Sequence, residues 1–173
     1  MKQQGLKPLI DGESKILILG TLPGEKSLEK KEYYSNPRSL FWNAVFARLR
    51  GVNLRSLSYK DKKVLLKKLH IAIWDVYKEV DRKKGSSGDK DIKMDSGSFN
   101  DVPKLLKRYP SVKKIAFCGV SRNTKRHYDA FLKKFQNAIG GVNIKMVFLP
   151  NPSGSNRVYC RKSIIEEWQK QLR

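Results

Sequence analysis

Four short apolar runs, at residues 16–19, 71–74, 114–117 and 145–149, each empty into a glycine, proline or aspartate turn, and helix-period patterns fill the chain between them. That alternation constrains the fold more than any other feature. Strand–helix–strand units cross over with one hand, so the strands lie parallel in one sheet with helices on both faces. The expectation is an α/β fold, three-layer α/β/α, around a central, mostly parallel four-stranded sheet, as a single domain over residues 1–173. Helices are predicted over 40–49, 60–69, 102–109 (opened by Asn100 and Asp101), 121–137 and 163–172. Residues 81–98, rich in Lys, Gly, Ser and Asp, read as a surface loop. In such a sheet ligands bind beyond the carboxyl ends of the strands.

Charge narrows the partner. The chain carries 37 Lys and Arg against 16 acidic residues, a formal charge of +21, yet 39% of it is hydrophobic. That is too apolar for a disordered basic tail and too basic for an enzyme of neutral metabolites, which points to a polyanion. Residues 104–134 hold ten Lys or Arg and one acid, Asp129, so the charge belongs to the folded body and suits phosphate backbones. No run approaches the ~20 apolar residues of a membrane span, and no signal peptide precedes the first strand. A soluble, cytoplasmic, nucleoid-associated monomer is expected. Cys118, Cys160, His70 and His127 lie far apart without ligand spacing, so neither a structural zinc nor a four-cysteine cluster is expected.

Three segments fall at or just after predicted strand ends. The first, Ile16 to Ser27, is a strand that opens into the Gly20-Thr21-Leu22-Pro23-Gly24 turn. It nearly matches a nucleotide-binding P-loop, but Glu25 stands before Lys26 where that motif requires glycine, and a negative side chain there opposes phosphate. The second, Tyr33 to Trp42, interleaves aromatic, polar and basic residues before a helix. Its aromatics can stack on nucleobases, although Phe41 and Trp42 are expected in the core. The third, Leu149 to Arg157, follows the last strand with two prolines and Gly154, and read alone it is either a turn or a binding loop.

Taken together, Pro23-Gly24, Tyr34-Ser35-Asn36-Pro37 with Phe41-Trp42, and Asn151-Pro152-Ser153-Gly154 with Arg157 resemble the uracil-DNA glycosylase superfamily. Their spacing is most similar to the mismatch-specific uracil-DNA glycosylases. The middle segments, Ile73-Trp74-Asp75-Val76, Gly85 to Ile92, Phe99-Asn100-Asp101 and Ile115 to Gly119, resemble the hypoxanthine-DNA glycosylase branch, which excises deoxyinosine.

The resemblance implies a metal-independent, cofactor-free base-excision glycosylase acting on double-stranded DNA with a damaged or mismatched base, hypoxanthine first and uracil or thymine in mismatches next. By similarity Tyr34 stacks on the flipped base. Gly20, Thr21, Leu22, Pro23, Gly24 and Ser153 hold the base and its water, and Asn151 binds it or stabilises the leaving group. Ser155, Asn156 and Arg157 press into the minor groove, and Lys26 meets the DNA.

The chain departs from its relatives where water is activated. Uracil-excising members carry Asp or Asn where this chain has Leu22. The hypoxanthine branch uses an Asn where it has Ser39, with His at the position of Asn36. Asn151, Ser39 and Asn36 are therefore the catalytic candidates, with Asp75 as a further substitute. A member that binds DNA without cutting is the alternative. Cys118, where relatives often carry Asn, is expected to be a small buried residue without a role.

Overall fold

The computed structural model describes residues 2–49, 51–54, 56–140, 143–153 and 160–173. The described elements run β1 (Lys2–Gln4), β2 (Ile16–Gly20), α1 (Glu25–Lys30), α2 (Phe41–Val45), α3 (Tyr59–Lys68), β3 (Ile71–Asp75), β4 (Tyr77–Arg82), β5 (Ile92–Phe99), α4 (Val102–Arg108), β6 (Lys114–Val120), α5 (Arg122–Gly140), β7 (Lys145–Pro150) and α6 (Arg161–Gln171). The expected central sheet is present: four parallel strands in the order β3-β2-β6-β7, built on the four apolar runs.

Side-chain alternation divides the core between the two faces of that sheet. Ile18, Ile71, Ile73, Ala116, Val147 and Leu149 pack with Phe41, Trp42, Leu66, Ile164 and Trp168 from α2, α3 and α6. Leu17, Leu19, Ala72, Ile115 and Phe117 pack with Val102, Leu106, Tyr128 and Phe131 from α4 and α5. Phe41 and Trp42 are buried, as their spacing predicts. Local signals set the helix starts: Ser58 and Asp61 form a reciprocal capping box on α3, and the Asp101 carboxylate accepts the Lys104 N–H at the start of α4. No helix among the described residues is long and apolar enough to cross a membrane.

Residues 81–98 correct the sequence reading. Only residues 83–91 run as a connection at the surface; residues 81–82 end β4 and 92–98 lie in β5, and these strands pair antiparallel and with β1 form a second sheet in the order β1-β4-β5. Gly97 in β5 reflects close packing. A Cβ on Gly97 would stand 2.5 Å from the Glu79 carbonyl oxygen and 2.7 Å from the Val80 side chain, so only glycine lets the strands meet there. The predicted 40–49 helix is also shorter, ending at Val45, and α1 begins at Glu25 inside the segment read as a loop.

Candidate active site

The strand order reverses between β2 and β6, and a cavity of about 200 Å³ opens at the carboxyl ends of the strands there. Every strand of the central sheet contributes its end: Gly20 to Gly24 after β2, Asp75 on β3, Cys118 and Gly119 on β6, and Asn151 to Ser153 after β7. Gly20 pairs with Asp75 in the ladder. A Cβ on Gly20 would meet Asp75 Oδ1 at 2.6 Å and the Tyr34 hydroxyl at 3.2 Å, so glycine is what allows those two groups to converge.

All five carbonyls of the Gly20–Gly24 turn are occupied by donors of the protein. Gly20 O accepts from Val76 N (2.9 Å), Thr21 O from Tyr77 N (3.1 Å), and Gly24 O from Ser27 N and Leu28 N (2.8 and 3.0 Å). Leu22 O and Pro23 O accept from the Arg82 guanidinium, Nη2 at 3.1 Å and Nη1 at 2.8 Å. The Leu22 and Gly24 N–H groups donate to no described residue. A turn with its acceptors filled and donors left over is suited to a ligand that presents acceptors or gains negative charge.

Tyr34 forms one wall. Its ring lies 3.4 Å from that of Phe41 with 4° between the planes, so Phe41 in the core backs one face while the residue also lines the cavity. Its φ of 52° is left-handed, a strained backbone for a tyrosine that the packing must hold in place. Burial raises its hydroxyl well above the ordinary range, and the neighbouring Cys118 thiol is pushed up to about 12 by the same burial. Both stay protonated at neutral pH.

Asp75 is a titratable group of the cavity wall. It is 3% exposed, and its Oδ2 has no hydrogen-bond partner. Burial pushes the carboxyl up to about 7, while the Tyr33 hydroxyl and the Arg82 charge pull it down and Asp89 pushes it up. A buried, orphaned carboxyl oxygen on a cavity wall marks a place for a ligand's hydrogen bond.

The β4–β5 hairpin closes the cavity from the side. Ser87 and Asp89, between these strands, line it; Ser87 Oγ accepts the Glu25 N–H at 3.0 Å, and the Thr21 hydroxyl donates to Asp89. His127, fully buried, touches the Asp89 carbonyl through Nε2 (3.0 Å) and the Tyr77 hydroxyl through Nδ1 (3.0 Å). A carbonyl only accepts, so Nε2 carries the proton and Nδ1 accepts from Tyr77, which satisfies a neutral ring. Burial lowers the His127 pKa in keeping with that state.

The structure gathers the sequence candidates unevenly. Gly20, Thr21, Leu22, Pro23, Gly24, Lys26, Tyr34, Asn36, Ser39, Asn151 and Ser153 all line the cavity. Leu22 places its side chain in the second core cluster, so the turn meets the cavity largely through backbone there. Asn151 Oδ1 accepts the Ser153 N–H at 2.9 Å, and the Pro152 carbonyl accepts the Leu40 N–H at 2.7 Å, which ties this loop to the aromatic segment. Ser39 Oγ accepts from Phe41 N (3.2 Å) and Asn36 Oδ1 from Arg38 N (3.0 Å), so both side chains serve as local caps. Lys26 and Arg38 are exposed at the rim. Ser155, Asn156 and Arg157 lie outside the described residues. Sequence reasoning missed Arg82, Ser87 and Asp89 because they fell in the presumed loop, and it gave Cys118 no place at the cavity. Among the described residues no group of three or more His, Cys, Asp or Glu could hold a metal ion.

Known proteins match this arrangement over its whole length. The profile of the Uracil DNA glycosylase superfamily matches residues 8–173. A Hypoxanthine DNA glycosylase of Methanosarcina acetivorans is 32% identical over 173 residues, covering 100% of this chain and 99% of its own. One of Methanosarcina barkeri is 36% identical over 157 residues, covering 91% and 90%. The solution NMR structure of a Methanosarcina acetivorans protein, assigned provisionally as a uracil DNA glycosylase, superposes with a TM-score of 0.73 at 31% identity over 100% of this chain and 98% of that one. The chain belongs to the uracil-DNA glycosylase superfamily, close to its hypoxanthine-DNA glycosylase branch.

Proposed function

We propose that this DNA glycosylase hydrolyses the N-glycosidic bond of a deaminated base, hypoxanthine above all, flipped out of duplex DNA into the cavity. The observation that carries the reading is the buried Asp75 carboxyl, whose Oδ2 has no partner, beside a turn with spare N–H donors. Deamination converts a ring nitrogen that accepts into an N–H that donates, and an exocyclic amine into a carbonyl. A neutral carboxyl complements that edge with both its atoms: the C=O accepts from the ring N–H and the O–H donates to the base carbonyl. Burial favours the neutral form below about pH 7. As the bond breaks, negative charge collects on the base, where the carboxyl O–H and the backbone donors stabilise it. Tyr34, backed by Phe41, stacks on the base, and extrusion costs a few kcal/mol, less at a mismatch. Asn151 is assigned to the base or the leaving group, and Ser39 and Asn36 to the sugar-side rim.

A second reading, DNA binding without cleavage, is favoured by Leu22 sitting in the core and by Ser39 and Asn36 being engaged as caps. Strand cleavage by hot alkali separates the two. Labelled duplexes with one inosine, uracil or xanthine opposite each base, incubated in EDTA, are expected to break at inosine most. Tight binding with no alkali-labile site on any duplex would establish the second reading.

Under both readings exposed Lys26 and Arg38 at the rim, with Lys83, Lys84 and Lys90 on the hairpin beside Ser87 and Asp89, meet phosphates. Affinity for duplex DNA is expected to fall about 10³-fold between 50 and 200 mM salt, through counterion release. Fluorescence anisotropy across that range checks it, and a flat response contradicts a phosphate-led interface.

A further inference from the structure

Arg82 is 2% exposed, and a guanidinium taken that far out of water is costly unless its donors are well used. Among the described residues it makes no ion pair within contact distance. Its two terminal nitrogens instead hold the carbonyls of Leu22 and Pro23, its Nε has no partner, and it lies outside the cavity lining. The Leu22 and Pro23 carbonyls belong to successive peptides of the turn, and both are drawn to the same cation.

We infer that Arg82 is a positioning residue for base excision: it draws the Leu22 and Pro23 carbonyls away from the base, leaves the turn with N–H donors only, and sets a fixed positive charge behind it. The inference rests on the glycosylase reading for its chemistry. A turn free to rotate either peptide would aim a carbonyl at the departing base, where it would oppose the growing negative charge. The charge also reaches Asp75, which is faced by Tyr33 ahead of α2, Tyr34 beside it, Tyr59 from α3, Arg82 from β4, Asp89 from the hairpin, Cys118 from β6 and Tyr128 from α5. Of these Arg82 alone is cationic, so its removal leaves the carboxyl neutral to higher pH.

The test uses the full chain with Arg82→Lys and Arg82→Gln, in single-turnover excision from an inosine duplex between pH 5.5 and 9, with undamaged-duplex affinity and thermal unfolding measured on the same samples. Arg82→Gln is expected to lower the maximal rate about 100-fold, the size of losing preorganised donors. Affinity for undamaged duplex should stay within about twofold, because Arg82 is buried away from phosphates. The alkaline fall in rate should move to higher pH. Arg82→Lys, keeping the charge and one donor, should recover about tenfold of the loss. The inference is overturned if Arg82→Gln excises at the wild-type rate. It is equally overturned if Lys and Gln are impaired alike, with the alkaline limb unmoved and rates tracking the folded fraction. Should the wild type excise nothing, the glycosylase reading fails, and the Arg82 role is decided by NMR: free hypoxanthine must shift the Gly24 amide, whose peptide carries the Pro23 carbonyl that Arg82 holds, in wild type and not in Arg82→Gln, and any other pattern overturns it.

Discussion

Asp75→Asn is expected to be more stable than the wild type above pH 7 and to keep excising inosine at pH 8–9, where the wild-type rate has fallen. The stability effect follows from linkage. The carboxyl is raised to about 7 in the folded chain from 3.8. Well below pH 4 it is protonated folded or unfolded and brings no penalty; as pH rises to 7 the unfolded chain releases the proton first, and folding is progressively disfavoured. Fully developed, the penalty is at most about 4 kcal/mol, or roughly 10 °C in melting temperature for a chain of this size. An amide has no such charge to desolvate, so the gap between variant and wild type should open between pH 4 and 7 and then level off.

The activity effect separates two roles for the same residue. If the neutral carboxyl pairs with the base edge, an amide reproduces its donor and acceptor and cannot ionise, so the alkaline limb disappears. If Asp75 instead worked as a general base, its ionised form would be needed, the rate would climb with pH, and Asp75→Asn would be inactive. Asp75→Leu, which keeps the branching of the side chain and removes both hydrogen bonds, should lose about 100-fold or more in rate, beyond any loss of folded protein seen in its melt. Thermal melts and single-turnover rates across pH 5–9 decide the matter.

Tyr34→Ala is the second large effect. The ring is one wall of the cavity, and Phe41 behind it is too deep to replace it. Base–aromatic stacking is worth about 1–3 kcal/mol, so affinity for an inosine duplex should fall roughly 10- to 100-fold. Affinity for intact duplex, carried by phosphate contacts, should change less than about twofold. Tyr34→Phe keeps the stacking face, and since the hydroxyl faces Gly20 and Cys118 its loss should cost under about threefold in rate. Parallel titrations on lesion and intact duplexes check both variants. Equal losses on the two duplexes would mean that Tyr34 supports the fold and does not read the base.

Much of this architecture was legible in the residues because its signals are local. Apolar runs of strand length ending in Gly20, Asp75, Gly119 and Pro150 announce a parallel sheet and the loops that gather at its end. The aromatic segment and the Asn151–Ser153 loop were found by their order and spacing. What escaped depends on contacts across long separations. Gly97 reads as a loop residue until β4 is seen pressed against it. Arg82 reads as one more surface cation in a basic chain; its burial follows only from a partner 60 residues earlier, the Leu22 carbonyl. Asp75 was visible as a candidate, but its raised pKa comes from burial, which no spacing encodes. Leu22, notable in sequence for lacking a water-positioning group, packs its side chain in the second core cluster and meets the cavity through its backbone.

The central claim is that this cavity releases a free base from DNA. The most direct measurement is mass-spectrometric quantification of hypoxanthine freed from a duplex with a single inosine, in EDTA at pH 6 and pH 8.5, by wild type, Asp75→Asn and Asp75→Leu. The account predicts stoichiometric release by wild type at pH 6, slower release at pH 8.5, release by Asp75→Asn at both, and almost none by Asp75→Leu. An intact inosine duplex after incubation with excess wild-type protein that binds it would contradict the account.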